Sequence, residues 1–197
     1  MKFIDRPFAL TVAVFLIGAF IGAILIVLSS NIREFAIMLL QDRMLSPVQI
    51  VSHLGNVAVF LLIFVNNCVP AVLSFIYPLI IARIKWTPPL TERRNLLFLS
   101  SYTFAAAFLI GFFSLGAPLA TGWVLGGTPM LLSLTYTASV HGPLEFAFVL
   151  VCVAEPLRIT RVWKGMTARV LLKDWPLLVV SVVGLLGSSA IEVFLRV

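Results

Sequence analysis

The run FALTVAVFLIGAFIGAILIVLSS, residues 8–30, contains no charged side chain. A helix of about 20 apolar residues is long enough to cross the hydrocarbon layer of a membrane. The run is also longer than the apolar core of a cleaved signal peptide, which has about 7 to 15 residues. We therefore expect residues 8–30 to form a membrane helix that stays in the protein.

The composition extends this expectation to the whole chain. Of the 197 residues, 61% are hydrophobic and 11% are charged, and the mean hydropathy is +1.11. Ordinary soluble domains have roughly 45 to 50% apolar and 25% charged residues. The sequence therefore predicts an all-α fold, a polytopic helix bundle that forms one membrane domain in the cell membrane, surrounded by lipids.

Five segments reach the length of a membrane span, namely 8–30, 54–82, 96–116, 130–154 and 175–195. With alternating spans, eleven of the 14 Lys and Arg residues fall on the side of the N-terminus and three on the other side. Basic residues concentrate on the cytoplasmic side, so the N-terminus is predicted to lie inside and the C-terminus outside. These residues fall in short blocks between the apolar spans, as membrane topology requires, and form no basic stripe with interleaved aromatics, so we reject nucleic-acid binding.

Two connections are predicted to form interfacial helices. Residues 31–45 place apolar side chains at helical spacing and end before Ser46 and Pro47. Residues 157–173 combine apolar side chains with five basic ones, as in a helix that lies on anionic headgroups. This second segment either only sets the topology or docks a cytoplasmic protein partner.

The second span contains VNNCVP, residues 65–70, near its middle. Asn66 and Asn67 can cap or line an interrupted backbone, and Pro70 removes an amide donor that a continuous helix uses. We therefore predict a break in this span. The alternative is one long, tilted helix with a kink at Pro70.

The fourth span contains a second candidate break, at His141, Gly142 and Pro143. In a half-helix that starts here, Gly142 is the N-cap, Pro143 takes the first helical position and Glu145 the third. A carboxylate at that position meets free backbone amides and the positive end of the helix dipole. In a continuous helix His141 and Glu145 still share one face, because they are four residues apart.

Ionisable residues inside a membrane are costly and usually face protein or water. His141 and Glu145 therefore either join helices by a hydrogen bond or belong to a binding site between interrupted helices. Glu192, in the last span, either pairs with Arg196 or belongs to such a site. The predicted polar membrane site comprises Asn66, Asn67, His141, Gly142, Glu145 and Glu192.

Four short motifs carry a resemblance to a known family: FVNN (64–67), TGWVLGG (121–127), HGPLEF (141–146) and AIEVF (190–194). In their order and spacing, from about residue 45 to the end, the chain resembles the stage II sporulation protein M family of polytopic membrane proteins. It departs from the family at CVAEPLR (152–158), where members have a small, glycine-bearing stretch. In sporulating bacteria the resemblance implies a role with partner proteins in septal peptidoglycan remodelling.

An enzyme is the least supported class of function. The sequence has no HExxH zinc spacing and no visible pairing of a nucleophile with a base. His141 and Glu145 lack an evident third and fourth metal ligand, so no catalytic residue, metal or cofactor is predicted. We expect a non-catalytic membrane scaffold or complex subunit, with oligomerisation left open. The alternative is a permease or proton-coupled small-solute transporter.

Overall fold

The computed structural model describes residues 5–40, 46–83, 91–160 and 168–194, and every regular element in them is helical. The α-helices are α1 (Arg6–Leu28), α2 (Ser30–Leu40), α3 (Ser46–Ser52), α4 (Asn56–Arg83), α5 (Thr91–Gly111), α6 (Ala117–Val153), α7 (Glu155–Ile159) and α8 (Ala168–Phe194), with a π-helical turn at Phe112–Gly116 between α5 and α6. The predicted all-α membrane helix bundle is confirmed.

Four helical stretches of the described chain are long and apolar enough to cross a membrane: Arg6–Leu28, Asn56–Ile81, Arg93–Tyr136 and Asp174–Phe194. The third has 44 residues, and a straight helix of that length measures about 66 Å, roughly twice the hydrocarbon thickness. This stretch includes the predicted third span and the beginning of the predicted fourth. One membrane crossing cannot hold it as a straight rod.

The chain reverses within this stretch at Gly127. Its backbone has φ 64° and ψ −157°, a non-helical conformation that glycine adopts at little cost. The Leu134 side chain lies against Gly122, although residues twelve apart in a straight helix are about 18 Å apart. The second half of α6, residues 128–153, is therefore a separate helix that contains the predicted fourth span.

At the positions of the two predicted breaks, the helices are continuous. Helix α4 runs from Asn56 to Arg83 through Pro70, so this span is one long helix, as in the alternative prediction. In α6, the only non-helical backbone angles are at Gly127, and the helix continues through Gly142 and Pro143. The predicted half-helix starting at Gly142 is therefore wrong. Neighbouring helices let membrane helices tolerate proline, and an interrupted backbone would leave polar groups unpaired in lipid.

Helices α1 and α5 pack closely through glycines. A Cβ atom on Gly18 would meet the carbonyl oxygen of Phe108, and one on Gly111 would meet that of Phe15. Gly116, at the end of the π-helical turn, lies in the same way against Ala19. The missing side chains let the two backbones approach directly, the usual device of small residues between membrane helices.

The predicted interfacial helices are described only in part. Residues 30–40 form α2, and residues 41–45 lie outside the described part of the chain. Arg33 of α2 donates hydrogen bonds to the carbonyls of Ile26 and Val27 at 3.0 and 3.1 Å, so it caps the end of α1. In the predicted helix 157–173, residues 161–167 are not described, and the two described ends belong to different helices, α7 and α8.

Candidate functional site

A polar cluster joins α4, α6 and α8 within the membrane part of the bundle. The Nδ2 atom of Asn67 donates a hydrogen bond of 2.8 Å to Oε1 of Glu145, which links α4 to α6. Both residues are half-buried, and 78 positions separate them in the chain. A carboxylate in this setting needs such partners, because hydrocarbon offers none.

Helix α8 completes the cluster with Ser188 and Glu192. The Ser188 side chain is buried and hydrogen-bonds Glu145, while the charge of Glu192 acts on Glu145. Ser188 and Glu192 are four residues apart, so they lie on one face of α8. Two ionised carboxylates repel one another strongly away from water. The cluster therefore brings carboxylates of two helices within electrostatic range of each other.

The structure divides the six predicted site residues. It brings Asn67, Glu145 and Glu192 together. Asn66 is exposed and makes no hydrogen bond to the described residues. Gly142 is buried one turn before Glu145, and the backbone of His141 is helical, while its side chain lies outside the described part. The alternative pairing of Glu192 with Arg196 also lies outside it.

A second charged cluster, absent from the predicted site, lies where the start of α1 meets α7. Arg158 donates to both carboxylate oxygens of Asp5, at 2.9 and 3.3 Å, and to the carbonyl of Val151 at 2.9 Å. Asp5 also caps α1 by accepting a hydrogen bond from the amide of Phe8. Arg158 therefore ties the N-terminal end of the bundle to the end of α6.

Glu155 is the most deeply buried member of this second cluster. Its side chain is 0% exposed and its Oε2 atom lies 3.2 Å from Arg158. The Oε1 atom has no hydrogen-bond partner among the described residues. Burial raises the pKa of Glu155, Arg158 lowers it, and the nearby charge of Asp174 raises it again, with a net rise. The i, i+3 spacing of Glu155 and Arg158 in the sequence indicates this pair. Asp5 is 153 positions away from Arg158 in the chain, so local spacing does not indicate the third member.

Two open clefts lie elsewhere on the described surface. One, of about 370 Å³, has apolar walls from α1 and α6; the other lies on α5 beside Arg94 and Ser101. Neither is lined by a member of the polar cluster around Glu145. Within the described ranges, no group of three or more His, Cys, Asp or Glu side chains is arranged to hold a metal ion.

Comparison with models of protein families, with curated proteins and with solved structures finds no match. The resemblance to the stage II sporulation protein M family therefore stays a prediction. The polar cluster between α4, α6 and α8 is the feature of the described chain from which a function follows most directly.

Proposed function

We propose that this chain is a non-catalytic, multi-pass membrane scaffold or complex subunit that resembles stage II sporulation protein M. The observation that carries the proposal is the hydrogen bond from Asn67 to Glu145. This hydrogen bond joins α4 and α6, two helices that are continuous at the positions where breaks were predicted. Polar groups that bond one another across helices fix the packing of a bundle, and a scaffold needs fixed packing.

The partners proposed for the scaffold are membrane lipids and other proteins. The segment 157–173 has five basic residues on the side predicted to be cytoplasmic. Arg158 binds Asp5 and Glu155, and the other four would bind anionic headgroups or an acidic protein surface. In a sporulating bacterium, the proposed assembly would act in septal peptidoglycan remodelling. No catalytic group or cofactor is assigned to the chain.

A second candidate is a proton-coupled permease, favoured by the proximity of Glu145 and Glu192. Two carboxylates between membrane helices form the kind of group that carries protons in transporters. For transport, the Asn67 to Glu145 hydrogen bond would have to open during each cycle. The two candidates therefore assign opposite roles to the same bond, a permanent link or a gate.

The test compares Glu145→Gln with Glu145→Leu. Glutamine keeps an oxygen that accepts from Asn67 but cannot carry a proton, whereas leucine removes the hydrogen bond. The scaffold predicts that native membranes contain an assembly larger than the chain, retained by Glu145→Gln and lost in Glu145→Leu on native gel electrophoresis.

Proton flux into reconstituted vesicles is measured in parallel with a pH-sensitive dye. The scaffold predicts background flux for the wild-type chain and for both variants. Flux above that of protein-free vesicles that disappears in Glu145→Gln would establish the permease and refute the scaffold. Loss of the assembly in Glu145→Gln would also contradict the role proposed for the hydrogen bond.

A further inference from the structure

Asn66 places a carboxamide on the outer surface of α4. Its neighbour Asn67 faces inward and is bonded to Glu145, and successive helical residues point about 100° apart. Asn66 is exposed, and no hydrogen bond connects it to any residue that the structure describes. It lies within about 4 Å of the midpoint of the apolar stretch Asn56–Ile81 along the helix axis.

The backbone at Asn66 adds a second unmet polar group. In a regular helix the carbonyl of residue 66 accepts from the amide of residue 70, but Pro70 has no N–H. The exposed surface at the middle of α4 therefore carries two amide donors and an acceptor from the side chain, and a carbonyl without its usual donor. Lipid chains cannot hydrogen-bond any of them, so leaving this site against lipid is unfavourable.

The residues around Asn66 form an apolar surface that a second helix can cover. Val69 and Leu73 follow at three and seven positions and are 48% and 49% exposed, and Val65 is 53% exposed. Residues at this spacing share a helix face. The described chain leaves about half of each of these side chains uncovered, while α4 packs against α6 and α8 on its other sides.

We propose that α4 forms a homodimer interface in the membrane, with Asn66 of two copies hydrogen-bonded to one another across a two-fold axis. A carboxamide is its own complement, because it holds both a donor and an acceptor, and a two-fold axis brings identical groups together. A second copy of this chain supplies the required polar group at the required depth. A different protein would need a polar group of its own at the middle of the membrane.

The first test measures dimerisation of the full chain in vesicles of phosphatidylcholine and phosphatidylglycerol. Energy transfer between labelled copies is followed as the protein is diluted with lipid. We expect a dimer for the wild-type chain and an increase of about tenfold or more in the dissociation constant for Asn66→Leu, because the two reciprocal hydrogen bonds are lost. Asn66→Gln keeps the carboxamide and should retain most of the dimer.

A second measurement keeps the test decisive if Asn66→Leu does not fold. In a background with Cys68→Ala and Cys152→Ala, Val69→Cys should cross-link two copies on oxidation. Val183→Cys, 61% exposed on α8, should not. A wild-type chain that stays monomeric at every dilution would overturn the proposal, as would equal dimerisation of a folded Asn66→Leu variant or equal cross-linking at both cysteine positions. Dependence on another protein would also overturn it.

Discussion

Removal of the Arg158 side chain is expected to cause the largest loss of stability of any single polar substitution at the α1 and α7 junction. The guanidinium binds Asp5 through two nitrogen atoms and lies 3.2 Å from Oε2 of Glu155. Arg158 is 12% exposed and Glu155 is 0% exposed. Removing one partner of a buried pair leaves the other charge uncompensated, at about 3–5 kcal/mol. We expect Arg158→Met to lose about that much free energy of unfolding at pH 8.

The loss should depend on pH because Glu155 is the charge left behind. Burial raises the pKa of Glu155, Arg158 lowers it and Asp174 raises it, and the net direction is upward. Without Arg158 the lowering contribution disappears, so the carboxyl group holds its proton to a higher pH. At pH 5 a neutral Glu155 needs no counter-charge. We therefore expect Arg158→Met to cost less at pH 5 than at pH 8.

The free energy of unfolding is measured in mixed micelles by titration with dodecyl sulfate. Reaction of the Cys152 thiol, which is 1% exposed, reports the unfolded fraction. Asp5→Asn keeps a helix-capping oxygen and should cost about 1–2 kcal/mol. Arg93→Met changes an exposed arginine and should cost less than about 0.5 kcal/mol. Equal losses for Arg158→Met and Arg93→Met, or an equal loss for Arg158→Met at both pH values, would refute the reasoning.

Two further predictions use the same titration. Gly111→Ala should lower the free energy of unfolding by about 1–3 kcal/mol, because its Cβ atom would meet the carbonyl oxygen of Phe15 on α1. In the control Gly187→Ala the new Cβ atom meets open space, so no loss is expected. Equal losses for the two variants would contradict close packing of α1 on α5. The second variant is Glu155→Gln. In the wild type the pKa of Glu155 is higher in the folded state than the ordinary 4.5, so the folded state binds more protons than the unfolded state. The stability of the wild type therefore falls as pH rises from about 4.5 through the raised pKa. In Glu155→Gln the free energy of unfolding should fall less steeply with pH over this range. An identical pH dependence in the wild type and the variant would show that Glu155 does not titrate as described.

The membrane spans could be predicted from the sequence because apolar runs of this length have few alternative structures. In hydrocarbon each backbone amide must be bonded within the protein, and a helix achieves this locally. The runs around residues 8–30, 54–82 and 175–195 correspond to α1, α4 and the apolar part of α8. The tertiary arrangement of these helices needed the structure.

Proline and glycine do not interrupt α4 at Pro70 or α6 at Gly142 and Pro143 as the sequence predicts, because a helix end has a higher cost in lipid than in water. Pro70 and Pro143 each remove one hydrogen bond, but ending a helix in lipid would leave several groups unpaired. The chain reverses at Gly127, where φ is 64°, between the predicted third and fourth spans. A Gly-Gly pair followed closely by proline is a turn signal, and it was present at residues 126–129.

A partner for Glu145 can be expected from the sequence, because the cost of a carboxylate in a membrane requires one whatever the fold. Which of Asn66 and Asn67 faces the bundle depends on the rotation of α4 about its axis, and the structure supplies that rotation. A signal for that rotation lies at Ala71 and Ser74, four and seven residues beyond Asn67, which are both buried. The corresponding positions beyond Asn66 are Pro70 and the exposed Leu73, so small residues marked the inward face.

The two charged clusters constrain how the bundle can move. Asn67 ties α4 to α6 within the membrane, while Arg158 ties α7, which directly follows α6, to the start of α1. Glu145 and Glu155, at either end of the same stretch of chain, also meet residues of α8. Moving α4, α8 or α1 away from α6 and α7 would therefore expose a carboxylate that has lost a partner, and this cost favours a bundle that keeps one arrangement.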